Sequence, residues 1–183
     1  MILPAMAMHV AFLRGINVSA HSASKEQLAT AFERLGFEGV STFRASGNVL
    51  FDAGPTKPKA APIERELAQE LGYEVPVFLR SSAQVADIAG LEPFTRRQLA
   101  ASNGKLQVAF LARSPVKPDR EKALAMATAD EPLALEGTEL YWLPKGTMRE
   151  SILDLKVLER LLGAWTMRTM GTVELIAKRL NRP

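Results

Sequence analysis

The residue types best suited to binding a ligand lie where an apolar run near the N-terminus ends. The run from His9 to Leu13 is followed at once by Arg14, Gly15 and Asn17. Arginine offers a planar fork of donors to an anion, glycine lets the backbone approach closely, and asparagine both donates and accepts. Loops between a strand and a helix often carry ligand sites. We therefore predict an anion site at Arg14; the alternative is a structural ion pair of Arg14, with Asn17 closing a turn.

A second polar segment lies at the predicted hairpin that joins the strands Val40–Arg44 and Asn48–Phe51. Arg44 adds a cation, while the hydroxyl of Ser46 and the amide of Asn48 add donors that a ligand at the same end could use. The alternative is purely structural, because Ser, Gly and Asn are also the residues that a tight hairpin favours.

The second half of the chain holds a similar arrangement. Lys145 to Arg149 combines two cations with a glycine, just ahead of a helix for which Ser151 is the expected N-cap. Such a turn predicts either another anion site, since helix N-termini attract negative charge, or a plain connecting loop.

Several kinds of chemistry are disfavoured by what the sequence lacks. There is no cysteine, which excludes disulfides, thiolate nucleophiles and Cys-ligated metals. The two histidines, His9 and His21, do not have metal-ligand spacing, and His21 is at most a loop acid–base candidate. Phosphate-loop, dinucleotide-binding, serine-elbow and zinc-protease motifs are missing. We expect no metal and no cofactor.

Composition indicates an ordinary globular protein with an uneven charge. The 183 residues are 47% hydrophobic and carry a net charge of +3. Residues 145–183 hold eight Lys or Arg against four acids. That excess is typical either of a solvated helix surface or of a phosphate-binding one. No apolar run reaches membrane-spanning length, and residues 1–8 are read as a short extension with no signal peptide, so we expect a cytoplasmic protein and no membrane partner.

The elements that must position these residues repeat. The first half is predicted as βαββαβ, in which a capping box at Ser24 starts a helix and Gly36 ends it. The second half is predicted as βαββα, with a last helix from Thr172. The fold class is therefore α+β with two ferredoxin-like subdomains in tandem. The predicted bounds are 1–81 for the first, 82–104 for a linking helix and loop, and 105–183 for the second with its C-terminal helix.

Short motifs along the chain resemble those of a known family. The segments are Leu13–Val18, Leu35–Phe37, Ser46–Val49, Val75–Val77 and Leu158–Gly163. On these motifs the chain resembles the bacterial domain-of-unknown-function family 1697. The resemblance implies a two-part ferredoxin-like α+β fold and no established activity.

One departure from the family pattern involves a further arginine. Family members carry Arg-Asn-Trp-Asn-Thr-Val ahead of the last helix, whereas this chain has Thr169, Met170 and Gly171 after Arg168. The resemblance implies Arg168 as a further ligand-binding residue, in a run that has exchanged an aromatic ring and two amides for other side chains.

Three functions follow from these observations. The first is binding of an anionic or phosphorylated small molecule at the end of the first strand. The alternatives are an RNA-binding ferredoxin-like module and a small phosphohydrolase resembling acylphosphatase. The sequence leaves open whether any reaction is catalysed, and which oligomer forms. The candidate ligand-binding residues are Arg14, Gly15, Asn17, Arg44, Ser46, Asn48 and Arg168.

Overall fold

The computed structural model describes residues 7–18, 21–44 and 47–181. The chain divides into two compact units, Met1–Ala86 with Ile176–Pro183 and Asp87–Leu175. Most of the N-terminal extension expected from the sequence, residues 1–6, lies outside the described residues.

The first unit is built on a four-stranded antiparallel sheet in the order β2-β3-β1-β4. Two helices follow the first and third strands, as the predicted βαββαβ order requires. The elements are β1 (Met8–Leu13), α1 (Lys25–Arg34), β2 (Glu38–Thr42), β3 (Asn48–Asp52), α2 (Ala60–Leu71) and β4 (Val77–Ser81).

Local sequence signals account for the start of α1. The Ser24 hydroxyl accepts the Gln27 amide, and the Gln27 side chain accepts the Ser24 amide, which completes the predicted capping box. The helix then buries Leu28 and Phe32 against the sheet.

Both faces of the first sheet are buried. Ala11, Leu13, Val49 and Phe51 pack with the helices α1 and α2. Because side chains alternate across a strand, Val10, Phe12, Leu50 and Phe78 lie on the opposite face. Those four are at most 3% exposed. The face opposite the helices is therefore no open aromatic platform.

Two helices connect the halves, α3 (Ser82–Gly90) and α4 (Arg96–Ala101). The region was predicted as a linking helix and loop; α4 is an additional short helix, started by a capping box between Thr95 and Gln98.

The second unit repeats the first sheet in the order β6-β7-β5-β8. The predicted α+β class, with two tandem ferredoxin-like subdomains, is thereby confirmed. The elements are β5 (Gln107–Leu111), α5 (Lys117–Leu124), β6 (Leu133–Glu136), β7 (Glu139–Trp142), α6 (Leu155–Leu162), β8 (Trp165–Thr169) and α7 (Met170–Leu180).

Two details of the second half differ from the prediction. The sequence pattern missed β8, because its alternate residues Thr166 and Arg168 are polar and yet buried, which hides the apolar signal of a strand. The N-cap of α6 is Asp154, which accepts the amides of Lys156 and Val157, and not Ser151. An aspartate two or three residues ahead of free amides competes well for the cap.

Candidate functional site

The loop after β1 begins at the end of the first sheet where β1 lies beside β3 and β4. The Leu13 amide donates to the Gly47 carbonyl at 2.7 Å, and the Arg14 amide donates to the Pro76 carbonyl at 3.0 Å. Arg14 is half-buried and Gly15 exposed. Arg14 thus extends from the point where the end of β1 lies between the starts of β3 and β4.

Asn17 holds the loop before α1. Its backbone is left-handed, with φ +54°, a conformation that asparagine tolerates better than most residues. Its Oδ1 accepts the Ala23 amide at 3.1 Å. The side chain therefore closes the connection to the helix, as in the turn-closing alternative, and positions the segment that contains Arg14 and Gly15.

The β2–β3 hairpin lies against this loop. The Phe43 amide donates to the Asn48 carbonyl at 2.9 Å, and Asn48 Nδ2 donates to the Phe43 carbonyl at 2.8 Å. Asn48 is fully buried and is the register partner of Phe12 in β1. Arg44 follows at φ +59° and is exposed. Ser46 lies outside the described residues.

Gly47 brings the two loops into contact. Its φ is +74°, and a Cβ there would lie 2.8 Å from Cγ1 and Cδ1 of Ile16 and 3.0 Å from Cβ of Leu13. Only glycine fits both the backbone conformation and the space. Of the predicted residues, Arg14, Gly15, Asn17, Arg44 and Asn48 therefore all lie at one end of the first sheet.

Sequence reasoning missed Phe43 and Arg179 at this end of the sheet. The guanidinium carbon of Arg44 lies 5.6 Å from the centroid of the Phe43 ring, and that of Arg179 lies 5.9 Å from the same centroid. In the sequence, Arg179 is only one of the eight basic residues of residues 145–183. Nothing local connects Arg179 with Phe43, since the two residues are far apart in the sequence.

Arg168 lies in the second unit, on β8. It is 8% exposed, and its Nη1 donates to Thr166 Oγ1 at 2.9 Å and to the Met167 carbonyl at 2.7 Å. Burial lowers the pKa of this guanidinium to about 10, because the charged form loses hydration. Arg80 has the equivalent place in the first sheet: it pairs with Val10 as Arg168 pairs with Val108.

The turn from Lys145 to Arg149 uses its own donors. Glu150 Oε2 accepts both the amide and the hydroxyl of Thr147, each at 2.8 Å, and these bonds lower the pKa of that carboxyl. Lys145 Nζ pairs with Asp130 at 2.8 Å. A cavity of about 720 Å³ beside this turn is lined by residues 103–105, 107, 144–148 and 150. The Glu150 carboxylate therefore already accepts the Thr147 donors that an external anion at this turn would use.

Both histidine rings stack on aromatic rings of the first unit. His9 Nδ1 lies 2.6 Å from the Ala7 carbonyl, and the His9 ring stacks on Phe51. His21 stacks on Tyr73 with ring centroids 4.2 Å apart. Within residues 7–18, 21–44 and 47–181, no three His, Asp or Glu side chains group as metal ligands would. No helix in that part of the chain is long and apolar enough to cross a membrane.

Comparison with known proteins agrees with the motifs and the fold. A solved structure described as that of conserved bacterial protein SP0830 from Streptococcus pneumoniae is similar over 97% of this chain and 100% of its own, with a TM-score of 0.70. The sequence identity is 19%, so this likeness shows the fold alone. No curated protein matches the sequence. The model of the family described as "Protein of unknown function (DUF1697)" matches residues 6–141, a range that includes Arg14 and Arg44. The chain belongs to this family of proteins of unknown function.

Proposed function

We propose that this protein binds a small anion, an inorganic phosphate or a phosphorylated molecule, at the end of the first sheet. The observation that carries the proposal is the contact between the β1 loop and the β2–β3 hairpin, made by the 2.7 Å bond from the Leu13 amide to Gly47 and by the packing of Gly47 on Ile16. This contact joins two loops that each contribute an arginine, Arg14 and Arg44. Paired guanidinium groups recognise phosphate by charge-assisted, bidentate hydrogen bonds.

The other residues of the site have supporting roles in this proposal. Gly15, whose added Cβ would meet nothing within 4 Å, leaves open space beside Arg14 for a ligand. Asn17 and Asn48 fix the two loops through their bonds to Ala23 and Phe43. Arginines whose backbones are held in this way lose less entropy when they bind.

The buried face of the sheet favours a small anion over single-stranded RNA. Ferredoxin-like RNA-binding modules stack bases on exposed aromatic residues of the sheet. Phe12 and Phe78 are at most 3% exposed in this protein, so no such platform is offered there. The acylphosphatase-like alternative gains no specific support, because the Asn48 amide is bonded within the hairpin.

The proposal is tested by calorimetric titration of the intact protein with inorganic phosphate at low ionic strength. Arg14→Gln and Arg44→Gln are each expected to weaken phosphate binding about tenfold or more, the effect of losing a charged hydrogen bond. Arg113→Gln removes the same charge from an exposed position in the second unit and serves as the matched control. Melting temperatures establish that each variant is folded.

Three results would count against phosphate binding at this site. The first is the absence of millimolar phosphate binding by the unmodified protein. The second is an equal loss of affinity in Arg113→Gln, and the third is a large loss of stability in Arg14→Gln with unchanged phosphate affinity.

Turnover of acetyl phosphate that depends on Arg14 and Asn48 would favour the phosphohydrolase instead. RNA affinity that falls steeply with salt and depends on the Lys and Arg of residues 145–182 would favour the RNA module.

A further inference from the structure

The ring of Phe43 is contacted by two arginine side chains. Arg44 is its neighbour in the hairpin loop, and Arg179 comes from the last turn of α7, in the part of that helix that belongs to the first unit. Their guanidinium carbons lie 5.6 and 5.9 Å from the ring centroid, so the two carbons can be no more than about 11.5 Å apart.

This arrangement concentrates positive charge on an exposed surface. Both arginines are exposed. Arg179 makes no hydrogen bond or ion pair with the part of the chain that the structure describes, beyond its contact with the ring. A guanidinium over an aromatic face is attracted to the ring, which limits its motion. Phe43 therefore holds the Arg179 guanidinium at an exposed surface.

The arginine pair lies beside the site of the proposed function. Phe43 closes the hairpin through both of its hydrogen bonds to Asn48, and the adjacent Gly47 carbonyl accepts the Leu13 amide at the start of the Arg14 loop. Arg179 thus adds a third cation to the end of the sheet that carries Arg14 and Arg44.

We propose that Phe43 and Arg179 adapt this site to ligands with two phosphoryl groups, such as a diphosphate; the inference rests on the proposed function. A phosphate monoester carries about −1.5 to −2 charges at pH 7, which two guanidinium groups neutralise. A third guanidinium matches the additional charge of a second phosphoryl group. In this arrangement Arg14 and Arg44 hold one phosphoryl group, and Arg179, oriented by the Phe43 ring, holds the other.

The test compares pyrophosphate with inorganic phosphate at constant ionic strength and without divalent cations. The unmodified protein is expected to bind pyrophosphate at least about tenfold more tightly than phosphate. Arg179→Gln should lower that ratio about fivefold or more while the phosphate affinity stays unchanged. Phe43→Leu keeps an apolar side chain but removes the ring, and should lower the ratio in the same direction.

Lys178→Gln is the matched control, because Lys178 is exposed, adjacent on the same helix turn and of the same charge. A ratio that stays at the unmodified value in Arg179→Gln overturns the inference, as does an equal fall in Lys178→Gln, which indicates only a general electrostatic field. If Arg14-dependent phosphate binding persists in either case, the proposed function stands and the diphosphate specificity alone fails. If phosphate does not bind at all, both fail.

Discussion

Replacing Gly47 by alanine perturbs the contact that joins the two loops of the candidate site. The added Cβ would lie 2.8 Å from two side-chain carbons of Ile16, closer than van der Waals contact allows. The backbone there has φ +74°, which an L-residue with a Cβ adopts at a cost.

The expected loss of stability has two parts. A non-glycine residue in the left-handed region costs about 1–2 kcal/mol. Overpacking a buried contact costs about 1–3 kcal/mol more, because Ile16 is 5% exposed and has little room to move. We therefore expect Gly47→Ala to lower the free energy of unfolding by about 2–5 kcal/mol.

Gly15→Ala separates the two parts. Gly15 has nearly the same φ, +76°, but a Cβ there would meet nothing within 4 Å. It should therefore cost only the backbone part, about 1–2 kcal/mol. Ile16→Val removes Cδ1 and so relieves part of the clash with the added Cβ. The loss in free energy of unfolding of the double variant Gly47→Ala with Ile16→Val should therefore be smaller than the sum of the two single losses, by about 0.5 kcal/mol or more.

Urea unfolding measured by far-UV circular dichroism gives these free energies. Tryptophan fluorescence is recorded in parallel, since both tryptophans, Trp142 and Trp165, lie in the second unit. Where the two signals do not coincide, unfolding is not two-state and the transition of the first unit is fitted separately. Equal losses for Gly47→Ala and Gly15→Ala, or no coupling with Ile16→Val, would refute the close contact between Gly47 and Ile16.

Two further predictions concern the second unit. Asp154→Ala removes the acceptor of the Lys156 and Val157 amides and should lower the free energy of unfolding by about 0.5–2 kcal/mol, measured by tryptophan fluorescence in urea; an unchanged midpoint would contradict the cap. Hydrogen bonds from the Thr147 amide and, to a smaller extent, from its hydroxyl lower the pKa of Glu150. This interaction therefore stabilises the folded protein at pH values above the pKa that Glu150 has in the unfolded chain. The stabilisation is lost as the pH falls through the lower pKa of Glu150 in the folded protein. Thr147→Val keeps the amide and should raise the pKa of Glu150 part of the way towards the ordinary value of a glutamate, which an NMR titration of the carboxyl measures. An unmoved pKa would disprove the hydroxyl's contribution.

Features set by neighbouring residues were predictable from the sequence. The capping box at Ser24 and the apolar run of β1 depend on residues that are adjacent or a few positions apart, and both are present in the structure. The family motifs were also readable locally, and the family is confirmed. The strand β8 was missed because its buried polar side chains, Thr166 and Arg168, find hydrogen-bond partners that a local pattern does not reveal.

The sequence by itself determined which residues around β1 could bind an anion, because an arginine, a glycine and an asparagine at a strand end have chemistry that needs no fold to be recognised. Only the tertiary structure decided which of them lie together. Antiparallel pairing of β1 with β3 brings the Arg44 hairpin to the end of the Arg14 strand, and Gly47 admits the Ile16 side chain. The contact of Arg179 with Phe43 likewise joins residues that are far apart in the sequence. Contacts of this kind depend on strand register and on close packing between distant segments, which local residue spacing does not encode.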